Sequence, residues 1–208
     1  MINYADLIKS FTKEDYLQGR VNLHIHTKYS DGKADFAEII KQSKIFKSIA
    51  ICDHNTIQGY IDNDIPDNVI PAVEFDVWYK YIFLHLLAYG INFTSDELKP
   101  FLAKNKRETE FDMVRIFADR NLKKLINAIH SVGGIAILAH PACCWTLNHE
   151  KFIKELAAMG LDGLEVYYPY NRHRGIIKFT STEKIEKIAD KFGLIKTGGT
   201  DLHGYNLI

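Results

Sequence analysis

The 208-residue sequence has no apolar run long enough to cross a bilayer, which sets aside a membrane-spanning helix. Its first residues, Met1-Ile2-Asn3-Tyr4-Ala5-Asp6, lack the basic segment and apolar stretch of a secretory leader. Cysteine is scarce. Cys52, Cys143 and Cys144 are too few for a disulfide framework, and the adjacent pair is poorly placed to bridge itself. A reducing cytoplasm is the expected compartment. Neither sign of charge is in excess, with 26 Lys plus Arg against 26 Asp plus Glu, so no global field favours long nucleic acid. Repeats, low-complexity tracts and linkers are also missing, and one domain over residues 1–208 is expected.

What is present suits a soluble globular chain: 47% hydrophobic and 25% charged residues, enough for a substantial core. Short apolar runs alternate with helical patterns, the mark of strand–helix units. Strands are expected at 21–26, 48–52, 69–74, 81–89, 135–139, 163–166 and 194–197. Asp35 with Glu38, and Thr180 with Glu183, have the spacing of capping boxes at helix starts. Residues 95–132 read as two inserted helices forming a small cap, ended by Gly133-Gly134. A mostly parallel sheet follows, open or closed as a barrel, with functional groups beyond the C-terminal strand ends.

Six of the chain's nine histidines fall at or near those ends, together with three carboxylates. The set is His24, His26, Asp31, His54, Glu74, His85, His140, Asp201 and His203. His24 and His26, two apart on a strand, point to one side. Glu74 follows Val69-Ile70-Pro71-Ala72-Val73, where a buried carboxylate is costly unless paired or bound to metal, and its two oxygens suit a bridge. His140 closes an apolar strand before Pro141. Asp201-Leu202-His203 repeats the alternation at the far end. Singly, each has a bland reading; His85, inside Ile82-Phe83-Leu84-His85-Leu86-Leu87, also fits a packed core histidine. Together they form a pool of nitrogen and oxygen ligands without sulfur, suited to manganese, zinc or iron.

The segments Leu23-His24-Ile25-His26-Thr27, Ser30-Asp31-Gly32, Asp53-His54-Asn55, Ala139-His140-Pro141 and Gly199-Thr200-Asp201-Leu202-His203-Gly204 resemble, in order, the motifs of the PHP (polymerase and histidinol phosphatase) superfamily. Phe83-Leu84-His85-Leu86-Leu87-Ala88-Tyr89-Gly90 and Gly163-Leu164-Glu165-Val166-Tyr167-Tyr168 resemble signatures of its TrpH-type metal-dependent phosphoesterases. The resemblance spans roughly residues 20–205. It implies a distorted seven-stranded (β/α) barrel holding three divalent ions. His24, His26, Glu74 and Asp201 would hold the first. Glu74 would bridge to a second held by His85 and His140, and Asp31, His54 and His203 would hold the third. Cys52 stands where the family commonly has threonine and reads as a small buried residue. Cys143-Cys144-Trp145 occupies the place of a glycine-rich loop. The sequence ends at Ile208, where many relatives continue into a closing helix.

Bound metals lower the pKa of a shared water to roughly 7 and neutralise phosphoryl charge, so no protein nucleophile is expected. Asp53 is a candidate either to protonate the leaving group or to orient His54. Arg172, His173 and Arg174, after Tyr167-Tyr168-Pro169-Tyr170, are candidates to bind phosphate beside stacking rings. Arg107 and Arg115 read as a solvated helix face, His130 as surface or core, and His149 as solvated. The expected partner is a small phosphorylated substrate, a nucleotide or short oligonucleotide, with no membrane and no long nucleic acid. A histidinol-phosphate-type phosphatase and a noncatalytic metal-binding module are the rival readings.

Overall fold

The computed structural model describes residues 3–169 and 178–207. Its centre is a seven-stranded sheet in sequential order: β1 (Val21–Ile25), β2 (Ser48–Ile51), β3 (Val69–Tyr79), β4 (Ile82–Tyr89), β5 (Ile135–Leu138), β6 (Gly163–Tyr167) and β7 (Ile195–Gly198). β1, β2 and β3 are parallel, as are β5, β6 and β7. β4 runs against both neighbours. Every residue of β1, β2 and β5 is buried, as expected of strands covered on both faces.

Helices α1 (Tyr4–Lys9) and α2 (Lys13–Leu17) precede the sheet, and α3 (Phe36–Gln42) and α4 (Gln58–Asp62) link its first three strands. α5 (Lys106–Glu110) and α6 (Leu122–Ser131) separate β4 from β5, and α7 (His149–Ala158) and α8 (Thr182–Phe192) join the last strands. Two expected caps differ. Asp35 makes no side-chain cap and instead pairs with Lys28 Nζ at 2.8 Å. α8 is capped by Ser181, one residue beyond Thr180, because the Ser181 side chain reaches the Lys184 amide.

The concave face of the sheet changes character along the strands. On β3, side chains of one parity run Ile70, Ala72, Glu74, Asp76, Trp78, and on β4 the matching face runs Tyr89, Leu87, His85, Phe83. The floor joins Leu23, Ala50, Cys52, Ile70, Ala72, Leu87, Tyr89 and Ile137 in one apolar cluster, plugged by Ile8, Phe11 and Tyr16 from the N-terminal segment. Outside, α6 buries Leu122, Leu125, Ile126 and Ile129. The sheet edges approach each other at the far rim, where His26 N donates to Leu202 O at 2.8 Å and Leu202 N to His24 O at 3.3 Å. Gly199 permits that approach, since a Cβ there would lie 2.3 Å from His24 Cβ.

Two strands depart from expectation. β3 continues five residues past Glu74 because Phe75 and Val77 keep burying the opposite face. Glu74 is therefore mid-strand. His85 sits mid-strand too, on the antiparallel β4, and enters the rim from the opposite direction. The 95–132 insertion contains two short 3-10 turns, Asp96–Phe101 and Asp112–Val114, besides α5 and α6. Only α6 is longer than two turns, and it packs on the sheet; Thr109, Glu110, Phe111 and Met113 line the site's margin.

Candidate metal centre

All nine sequence-selected residues converge above the apolar floor. Ligand atoms of His24, His26, Glu74 and Asp201 lie within 4.8 Å of one another, as do those of His26, Asp31, His54 and His203, and those of Glu74, His85 and His140. Glu74 stands between the groups. Its Oε2 is 3.1 Å from both His24 Nε2 and His26 Nε2, while its Oε1 is 3.1 Å from His85 Nδ1 and 3.7 Å from His140 Nε2. Asp201 Oδ1 lies 3.1 Å from His26 Nε2, and Asp31 Oδ2 lies 3.0 Å from His203 Nε2.

Local chain geometry sets these positions. The turn carrying Asp31 is pinned by Asp53, whose oxygens accept from Thr27 N (2.7 Å), Thr27 Oγ1 (2.6 Å) and Ser30 Oγ (2.7 Å). Gly32 is required there because a Cβ would strike the His26 carbonyl carbon at 2.4 Å. Asn55, His140 and Asp201 adopt positive φ values of 54°, 28° and 49°. Such backbone is uncommon outside glycine and concentrates at functional sites.

Asp53 thus has neither expected role: both its oxygens hold the turn, and another carboxylate orients His54. That group is Asp76, which the sequence reading missed. Asp76 Oδ1 accepts from His54 Nδ1 at 2.9 Å and lies 3.4 Å from His85 Nε2, and its Oδ2 accepts from Asn55 Nδ2 at 2.6 Å. With His54 and His85 it forms a fourth convergent group. Its signal was the alternation Glu74-Phe75-Asp76, which puts two carboxylates on one strand face. Glu165 was also missed as a functional group. It accepts from His24 Nδ1 at 2.9 Å and from the His140 amide at 2.8 Å. A fully buried carboxylate within Gly163-Leu164-Glu165-Val166 was the available clue. Tyr168 completes this layer, its hydroxyl donating to Asp201 Oδ2 at 2.8 Å.

Three histidines have Nδ1 held by a group other than the carboxylates of the nine: His24 by Glu165, His54 by Asp76 and His203 by the Asp201 carbonyl at 2.9 Å. Each then presents Nε2 inward, the arrangement by which outer partners fix a metal-binding tautomer.

The electrostatics are those of groups holding one another. Burial alone would lower His24, but the Glu165, Glu74 and Asp201 carboxylates raise it well above the usual imidazole range. Burial likewise opposes His26 and His85, yet Asp201 and Glu74 hold His26 up at about 10, and Glu74 and Asp76 hold His85 at about 9. Burial would push Glu74 and Asp201 up; the imidazoles around them hold both well below the carboxylate range. His26 Nε2 and Glu74 Oε1 are nevertheless buried without a hydrogen-bond partner. Buried polar atoms are rarely left so, and two orphans aimed into one ring of nitrogen and oxygen donors fit a divalent cation.

Other residues fall elsewhere. Arg115 is not a solvated face: it is 1% exposed, and its guanidinium donates to Phe101 O and Asp76 O, each at 2.6 Å. It ties the insertion to β3 beside the site. Arg107 is exposed. His149 is buried at the start of α7, and burial lowers its pKa. His130 pairs with Asp162 at 2.7 Å. Burial pushes the Cys143 and Cys144 thiols up to about 12, so they stay protonated. Cys52 is buried, as expected. Arg172, His173 and Arg174 lie outside the described residues.

Above the cluster opens a cavity of about 680 Å³, with Asp31, His54, His85, His140, Asp201 and His203 at its base. No helix among the described residues is long and apolar enough to cross a membrane.

No family model matches the chain. Two uncharacterized proteins of Methanocaldococcus jannaschii are similar to it, one 26% identical over 189 residues (81% of this chain, 92% of that one) and one 24% identical over 192 residues (88% and 81%). Among solved structures, a Bifidobacterium adolescentis protein provisionally assigned as a metal-dependent phosphoesterase aligns at TM-score 0.67 and 18% identity, covering 88% of this chain and 87% of that one. An amidohydrolase of Chromobacterium violaceum, solved with sulfate and no metal, aligns at TM-score 0.67 and 18% identity, covering 89% and 88%. A two-domain Bacteroides vulgatus protein containing a predicted PHP-like metal-dependent phosphoesterase aligns at TM-score 0.53 and 14% identity, covering 88% and 52%. The fold is the PHP type.

Proposed function

We propose that this chain is a hydrolase of the PHP superfamily: a metal-dependent phosphoesterase acting on a nucleotide or short oligonucleotide. The observation that carries the reading is Glu74, buried among imidazoles with its two oxygens directed at different histidine groups and Oε1 lacking a hydrogen bond. His24, His26, Glu74 and Asp201 would hold one ion, Glu74, His85 and His140 a second, and Asp31, His54 and His203 a third. His26 also reaches toward the third group. Manganese, zinc and iron suit these donors.

When bound, the ions supply an activated water and neutralise charge on the phosphoryl oxygens. The chain's own residues do the rest. Glu165 and Asp76 hold His24 and His54 in the tautomer that turns Nε2 inward. Asp53 fixes the turn that brings Asp31 to the rim. Tyr168 occupies the second oxygen of Asp201, leaving Oδ1 turned toward His26. The apolar floor excludes water from below the cluster, so ligand charges act in a medium of low polarity.

The test is metal analysis of the purified protein combined with a panel of phosphate esters. Divalent metal is expected to copurify, and hydrolysis to stop with a chelator and return with manganese, zinc or iron. Hydrolysis indifferent to chelation, or none with any of these metals, would overturn the reading. Faster turnover of histidinol phosphate than of nucleotides would move the substrate assignment.

A further inference from the structure

The cavity wall above the cluster contributes none of the candidate ligands, yet it is rich in aromatic rings. On the β3–β4 hairpin, Trp78 stands directly across from Phe83, their rings 5.1 Å apart. Phe83 in turn meets the edge of His85, with ring centroids 5.1 Å apart. Trp145, on the loop after His140, packs on Phe179 at 5.5 Å. Trp78 and Trp145 are 45% and 71% exposed, and both line the cavity over the cluster. They are the only tryptophans in the sequence. Phe83 and Tyr81, both exposed, line the same cavity, so its wall is a contiguous patch of rings, and exposed apolar patches beside a cavity mark binding surfaces.

We propose that this wall is a stacking subsite for a flat aromatic ring on the leaving group of the ester, with Trp78 and Trp145 as its specificity-determining residues. The proposal rests on the phosphoesterase reading and extends it. The same cavity holds the cluster at its base and the rings at its walls, so a phosphoryl group at the cluster directs the attached alcohol past them. A phenylalanine backs each tryptophan and limits its rotation, which lowers the ordering cost of stacking. Ring faces meet any nucleobase through its π surface, so selection here falls on flatness rather than on base identity.

Because both tryptophans line the cavity, their emission reports its occupancy. The zinc-loaded protein is titrated with an uncleavable phosphonate analogue of adenosine monophosphate and, in parallel, with inorganic phosphate, which has no ring. The analogue is expected to change tryptophan emission and phosphate to leave it unmoved. In Trp78→Leu and Trp145→Leu, the affinity for the analogue relative to phosphate, measured by calorimetry, is expected to fall on the order of tenfold. Guanosine and cytidine analogues should behave as adenosine does. If phosphate binds but the ratio is unmoved in both variants, or emission responds equally to both probes, the subsite falls while the phosphoesterase reading stands. If neither probe binds, both fall.

Discussion

The candidate centre has two ends built from the same side-chain types and embedded differently. At the inner end, His24, His26 and Glu74 are buried and Asp201 nearly so, each held from behind by the floor, by Glu165 or by Tyr168. At the outer end, Asp31 and His203 have side chains 39% and 36% exposed, on the turn after β1 and the segment after β7. The inner charges belong to the core and are tolerable there because they are paired. The outer ones cost little to keep in water. The same donor set therefore does different work: inside, a substitution disturbs both ion binding and the fold, whereas outside it disturbs ion binding alone.

The sharpest way to break that contrast is His26→Ala or Asp201→Ala. Either should lose most bound metal and, on the order of a thousandfold, hydrolytic rate, read by metal analysis and steady-state kinetics. Full activity in both would remove these residues from the site. Glu165→Gln, which keeps the shape but weakens the grip on His24, should cost about 10- to 100-fold in metal affinity, measured by competition with a chelator. An unchanged affinity would show that the second layer does not matter. Asp31→Asn should lower metal content at the outer end while moving the metal-free melting temperature by only about 1–2 °C, against several degrees for His26→Ala. Equal shifts in the two variants would erase the distinction between the ends.

The smallest effect concerns pH. In metal-free protein, His26 and His85 have pKa values raised to about 10 and 9, above their unfolded values near 6.5. Their contribution to stability is then fully present below about pH 6.5 and is lost as pH rises through about 9–10. The melting temperature of chelator-treated protein should fall across that window, and His26→Ala should flatten the slope. A flat or rising profile in the unsubstituted protein would contradict it. Metal should stabilise more as pH rises, since ion and proton compete for the same nitrogens.

Much of this was legible in the sequence because strand cores announce themselves. Val21, Ser48, Val69, Ile135 and Gly163 begin strands at the expected residues, each apolar run bounded by polar or turn-forming neighbours. The pool of histidines and carboxylates could be gathered from their places after such runs. What could not be read depends on register. Asp76 matters because it faces His85 across the hairpin, and no local pattern encodes that pairing. Glu165 matters because β6 brings it behind His24, 141 positions away in the chain. Arg115 looked like one more solvated cation until the insertion folded over it and two carbonyls claimed its guanidinium. His149 looked solvated because it stands near a helix start, yet α7 turns it inward.

The seam between the first strand and the segment after the last adds a mechanical consequence. The bonds from His26 N to Leu202 O, from Leu202 N to His24 O and from Lys33 N to His203 O, with the Asn22 side chain bonded to Thr200, stitch the two chain regions at this edge. Asp201 and His203 flank that stitch from one side, and His24 and His26 from the other. An ion gripped by both sides would act as a clasp, so amide exchange at Leu202 and His26 should quicken on chelation before exchange in β3 or β4 does. Occupancy would then govern how often the rim gapes, as well as what happens inside it.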